Sequence, residues 1–246
     1  MGFIVRTELA GKKFLEEYPQ TKELLQKKKC LQFIEKINGF HRDVKKTFAR
    51  SFDGNEAEIG DIKITITESM ITEATKLPRN GEKWFKNRGI NGEDRKVFLK
   101  NPNMDTTIFR KGISSTALKS KWRNVLLILQ NFVTCEGQFL YMYFYHIRMM
   151  MHFLEDHQMN LPYFLLYSLK KMVTNVQKRI QFRENTMHHH GLIKILVEFH
   201  LRSIEDNWES FLVMNHFEER SPEQASNNRT LIRRKRTMEV VKEKET

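Results

Sequence analysis

The chain has 246 residues, 40% hydrophobic and 29% charged, and Lys plus Arg outnumber Asp plus Glu by 42 to 30, a formal charge of +12. The apolar fraction suffices for the core of one large domain or two small ones, but the longest apolar runs, Val125 to Leu129 and Phe139 to Tyr145, fall well short of the roughly 18 residues that a bilayer-spanning helix needs. Met1 to Ala10 contains Arg6 and Glu8 and no continuous apolar stretch, and Cys30 and Cys135 are too few and too far apart for a stapled secreted scaffold; the expected setting is intracellular, with reduced thiols and no membrane partner.

The first fifty residues read as polar helix. Lys12 to Tyr18 is one short candidate, and Lys22 to Ile37 is a longer one in which Leu24, Leu25, Leu31, Ile34 and Ile37 recur at near-helical intervals until Asn38-Gly39 ends it. Lys27-Lys28-Lys29 reads as a solvated face. From Phe48 the character changes: Phe48 to Phe52 reads as a short strand, followed by the turn signal Asp53-Gly54-Asn55. Ala57 to Ile59 and Ile62 to Ile66 flank Gly60-Asp61, and Ile62, Ile64 and Ile66 alternate with Lys63 and Thr65 at the strand period. A two-residue connection suits a tight hairpin, expected to be the chain's sole extended structure.

Thr67 then stands where a helix N-cap would, with Glu68 at the positive end of the dipole, and Leu77-Pro78 closes the short helix that Met70, Ile71 and Ala74 pattern. Arg79 to Gly92 reads as an irregular loop pinned by Trp84 and Phe85, and Asn101 to Ser115 as a second loop. The main core is expected further on. Trp122, Val125, Leu126, Leu129, Phe132 and Val133 form an apolar stripe, and Phe139 to Phe153 is apolar almost all round, as a central helix would be. Asn160 caps the next helix, with Pro162 in its first turn and a stripe through Leu165, Leu169, Met172, Val173, Val176 and Ile180. Ile193, Leu196, Val197 and Ile204 mark another helix, and Trp208, Phe211 and Leu212 a last short one. The polar, charged stretch Ser221 to Thr246 reads as a disordered tail. The expected fold class is therefore mainly α: an N-terminal helical segment over 1–47, a main helical domain with one β-hairpin over 48–217, and a disordered basic tail over 218–246.

The sequence signals no catalytic site, metal site or cofactor. Three adjacent histidines, His188-His189-His190, point about 100° apart on a helix and cannot converge as an i, i+4 pair does; they read as a polar linker before Gly191. His146, His152 and His200 read as hydrogen-bonded core or edge residues. Cys135, beside Glu136, lacks the cationic setting that lowers a thiol pKa. No glycine-rich phosphate loop, nucleophile elbow or HExxH occurs. Asp53, Glu56, Glu58, Asp61 and Glu68 mark turns and caps, although a metal-dependent nuclease gathers such residues from distant segments.

Basic clusters carry the sharper signal. Arg229, Arg233, Arg234, Lys235 and Arg236, in the expected tail, suit nuclear import or a phosphate-neutralising arm. Lys83, Trp84, Lys86 and Arg88, with Phe85 among them, have the aromatic and cationic character that clasps single-stranded nucleic acid, although aromatics tucking a loop onto a core look the same.

Phe52-Asp53-Gly54, then Ile59-Gly60 with Ile62, Ile64 and Thr65, then a short helix ending at Leu77-Pro78, resembles the opening of the plant transposon protein domain, a gag-like family left by plant mobile elements and related to the plant mobile domain. His146-Ile147-Arg148 leading to Met159-Asn160-Leu161-Pro162-Tyr163 is similar to that family's helix ending in an INLPY stretch. The resemblance runs over roughly Phe48 to Met172 and implies a domesticated or decayed element product that acts by binding, with no catalytic residues to carry over. The expected function is non-enzymatic: a gag-like module associating with nucleic acid, independently of sequence, or with copies of itself, nuclear rather than cytoplasmic. The alternative is a protein-interaction module whose charge is incidental; a nuclease or hydrolase is a distant third.

Overall fold

Alternating isoleucines build the hairpin they predict. In the computed structural model, β2 (Glu56–Ile59) and β3 (Ile62–Thr65) pair antiparallel around Gly60-Asp61, with Ala57 opposite Ile64 and Ile59 opposite Ile62. Ala57, Ile59, Ile64 and Ile66 are fully buried, while Glu58, Lys63 and Thr65 face solvent. Asp53 sets the entry: its Oδ1 accepts the N–H groups of Asn55 and Glu56 at 2.7 Å each. The structure describes residues 11–83, 96–104, 113–135, 141–154, 159–177, 189–204 and 219–220.

The rest is mainly helical: α1 (Gly11–Glu17), α2 (Lys22–Lys27), α3 (Leu31–Lys36), α4 (Arg42–Ser51), α5 (Glu68–Thr75), α6 (Ser120–Ile128), α7 (Phe144–Leu154), α8 (Leu161–Gln177) and α9 (His190–Ile204). Helices α4, α5, α8 and α9 pack on one another with the hairpin laid against α4, while α6 packs on α7 and on the turn Pro19–Thr21. Buried side chains from Phe14 to Leu201 form a single apolar cluster; Phe14 meets the Phe132 ring edge-on at 5.2 Å. Gly11 lets α1 approach α3: its N–H donates to the Ile37 carbonyl at 2.7 Å, and a Cβ there would lie 1.6 Å from the Ile34 carbonyl oxygen.

Four sequence expectations need correction. Phe48 to Phe52 is not a strand: α4 runs to Ser51, and Phe48 and Phe52, one helical turn apart, stack at 5.0 Å. Lys22 to Ile37 is two helices, broken where Lys29 adopts φ 56°. The hairpin is not the sole extended structure, since β1 (Phe40–His41) pairs with β6 (Glu219–Arg220) and β4 (Ile113–Ser114) with β5 (Tyr141–Met142). His189 and His190 do not lie in a polar linker: both are buried, with His189 Nε2 2.7 Å from Ser168 Oγ and His190 Nε2 3.3 Å from Nζ of the buried Lys45. The expected helix at Trp208 to Leu212 and residues 221–246 of the tail expected over 218–246 lie outside the described residues, while Glu219–Arg220 within that range form the strand paired with β1. No described helix is long and apolar enough to cross a membrane.

Candidate nucleic-acid interface

Two helix N-caps meet at one joint. Thr67 caps α5, its Oγ1 accepting the Met70 N–H at 3.1 Å, and Asn160 caps α8, its Oδ1 accepting the Tyr163 N–H at 2.9 Å. Glu68 links the two caps. Its carboxylate accepts from Asn160 Nδ2 at 3.3 Å and from Lys83 Nζ at 3.2 Å, and Arg79 Nε lies 3.5 Å away. Lys83 also stands 4.4 Å from the centre of the Tyr163 ring, and the Asn160 N–H donates to the Glu82 carbonyl. Lys83 is thus exposed but ion-paired. The other sequence-predicted contacts, Trp84, Lys86, Arg88, Arg229, Arg233, Arg234, Lys235 and Arg236, lie outside the described residues.

A second cationic region forms where two distant segments meet. Leu99 bridges Leu118 antiparallel, with the Lys100 N–H donating to the Ala117 carbonyl and the Lys119 N–H to the Phe98 carbonyl, both at 2.9 Å. Leu99 and Leu118 are fully buried, so the polar neighbours on either side turn outward. The junction gathers Lys96, Lys100, Lys119, Lys121 and Arg123, and in sequence its two segments are flanked by Glu93, Asp94, Asp105 and Glu136. Lys119 Nζ donates to the Val97 carbonyl at 3.1 Å; Arg123 holds the carbonyls of Ser115 and Thr116 through Nε and Nη2. Carbonyls orient these side chains without cancelling their charge. Some cations elsewhere meet carboxylates, Lys46 with Asp43, Lys63 with Glu58 and Lys194 with Glu198, while Lys36 Nζ, like Lys119 Nζ, donates to a carbonyl, that of Ala74. Among the described residues no carboxylate pairs with Lys100, Lys119, Lys121 or Arg123. The first turn of α6, which carries Lys121 and follows Lys119, holds no acidic residue, so the positive end of the helix dipole adds to the same field.

Beyond Ile128 the helix continues as a π-helical turn, Leu129–Val133. Gln130, Asn131, Thr134, Cys135 and His146 are buried around it. The Tyr143 N–H donates to His146 Nδ1 at 3.3 Å, which leaves the proton of the neutral ring on Nε2; that N–H meets Thr134 Oγ1 at 3.2 Å, and the Thr134 hydroxyl donates to the Leu129 carbonyl at 3.1 Å. Burial pulls the His146 pKa down to about 3. Asn131 Nδ2 donates to the Leu127 carbonyl at 2.7 Å.

The groups considered for catalysis do not converge. Burial pushes the Cys30 thiol up to about 12, far from a thiolate at neutral pH. Asp53, held below the usual carboxylate range by the Glu56 and Asn55 N–H groups, serves its turn; Glu58 pairs with Lys63 and Glu68 serves the joint. Among the described residues no three His, Cys, Asp or Glu side chains are placed to hold a metal ion. The junction around Leu99 and Leu118 was not among the sequence candidates. No protein-family model, curated protein or solved structure matches the chain.

Proposed function

We propose that this protein is a non-enzymatic module that associates with nucleic acid through phosphate contacts, of the gag-like, element-derived kind its motifs resemble, and acts in the nucleus. The observation that carries the reading is the cluster of Lys100, Lys119, Lys121 and Arg123 on the Leu99–Leu118 junction, with which no carboxylate pairs among the described residues. Surface cations that meet phosphates release counterions from the nucleic-acid backbone, which gives a sequence-independent affinity that falls steeply with salt. The Arg229 to Arg236 cluster adds a second set of cations on the same chain. The alternative is a protein-interaction module, for which the exposed large apolar side chains among the described residues are Val97, Leu154, Tyr167 and Ile204, each from a different segment.

Fluorescence anisotropy of the nuclease-treated full chain with labelled nucleic acid tests this. Binding is expected at about 50 mM salt and to weaken by orders of magnitude by about 200 mM. K100E/K121E is expected to weaken it at least about tenfold, since two phosphate contacts become repulsions. Absence of binding at the lower salt overturns the reading in favour of a protein partner.

A further inference from the structure

We infer that the Leu99–Leu118 surface selects double-stranded over single-stranded nucleic acid, by charge density alone; this rests on the nucleic-acid reading above. Single-strand binders stack unpaired bases on exposed aromatic rings, and that stacking rewards the open strand. Here the aromatic rings face inward. Phe98 is fully buried and Trp122 is 5% exposed, packed edge to face with centroids 5.0 Å apart. Lys121 Nζ lies over the Trp122 ring, 5.4 Å from its centre. Among the described residues of 96–104 and 113–135 no aromatic side chain is exposed.

What the surface offers is positive charge. Lys100, Lys119 and Lys121 are exposed and Arg123 is half-buried with its guanidinium anchored on two carbonyls. Anchoring lowers the side-chain entropy lost on meeting a phosphate. Without stacking, affinity follows the density of phosphates within reach of one patch. A duplex presents one negative charge per about 1.7 Å of axis, against about 3.4 Å along each of its strands, and each neutralised phosphate contributes more to the salt slope on a duplex than on a single strand.

The test compares the full chain on one labelled 20-base strand, alone and annealed to its complement, over a salt series, with K100E/K121E and with R233A/R234A/K235A/R236A. The side chains of Lys100 and Lys121 make no hydrogen bond to the described residues, so charge reversal there is expected to leave folding intact; a thermal melt of each variant checks this. The duplex is expected to bind about tenfold or more tightly, with the steeper salt slope. K100E/K121E should erase that preference and lower the duplex slope by about two; the arginine-cluster variant should weaken both forms and keep the preference. Equal or tighter binding of the single strand overturns the inference, as does a duplex preference that survives K100E/K121E. Should neither form bind at low salt, the broader nucleic-acid reading falls, a result distinct from binding without preference.

Discussion

At the N-terminus of α6, Lys119, Lys121 and Arg123 hold their charges at or near the surface, Lys119 and Arg123 oriented by carbonyls, and among the described residues no carboxylate pairs with them. Further along the same helix, Gln130, Asn131 and Thr134 are withdrawn into the core with His146, and the groups there are neutral and hydrogen-bonded to one another or to backbone. The contrast follows from solvation. A charge at the surface keeps its water and costs the fold little, whereas a buried polar group must exchange water for an internal partner and stay uncharged. The two ends therefore separate two properties. Changes at the exposed end should alter binding and leave stability alone; changes at the buried end should do the reverse.

Acid should break the buried end most strongly. His146 has a folded-state pKa near 3, against 6.5 for the free side chain, because burial disfavours its charged form. Below pH 6.5 the unfolded chain takes up a proton that the folded chain refuses. The stability due to the neutral imidazole is thus whole above that pH and is lost as pH falls towards 3, by about 4–5 kcal/mol in all. Chemical denaturation between pH 7 and 4.5 should show this as about 1.4 kcal/mol lost per pH unit beyond what His146→Leu loses over the same range. Coincident slopes for the two proteins would remove His146 from the account.

Thr134→Val probes the same end at constant pH. The substitution keeps the shape but deletes the acceptor for His146 Nε2–H and the donor to the Leu129 carbonyl. Withdrawing a partner from buried polar groups costs about 1–3 kcal/mol. A denaturation midpoint at wild-type value would mean that the π-helical turn is held by packing alone. Nucleic-acid affinity should not move, since Thr134 is 1% exposed.

Where local chemistry decided the structure, the sequence was readable. Ile62, Ile64 and Ile66 marked the hairpin, and Thr67 and Asn160 marked the starts of α5 and α8, since a cap needs only its own side chain and a backbone N–H three residues on. Reading Phe48 to Phe52 as a strand overlooked Val44, which with Phe48 and Phe52 completes a spacing of four. The break at Lys29 carries no glycine or proline to announce it. The joint at Glu68 spans 92 residues to Asn160, and the cationic surface depends on the bridge between Leu99 and Leu118. Neither pairing follows from periodicity, because each is decided by which elements the core brings together. The π-helical turn has no local signature either, and its buried Gln130 and Asn131 are polar at positions that an apolar stripe would leave unread.

The smallest effect expected is also the one that most directly tests the exposed end. Lys100→Ala should change folding stability by no more than about 0.5 kcal/mol, as for a surface residue remote from caps and buried networks. Lys121→Ala should cost slightly more, up to about 1 kcal/mol, through its contact with the Trp122 ring. Each should still weaken nucleic-acid binding and reduce the salt slope by about one. The ratio of the two readouts is what counts. A residue maintained for folding moves the denaturation midpoint together with affinity, while one whose charge faces a partner moves affinity alone. If Lys100→Ala proved as costly to stability as Thr134→Val, the surface would be a structural element like the buried end, and the contrast between the two ends of α6 would be lost.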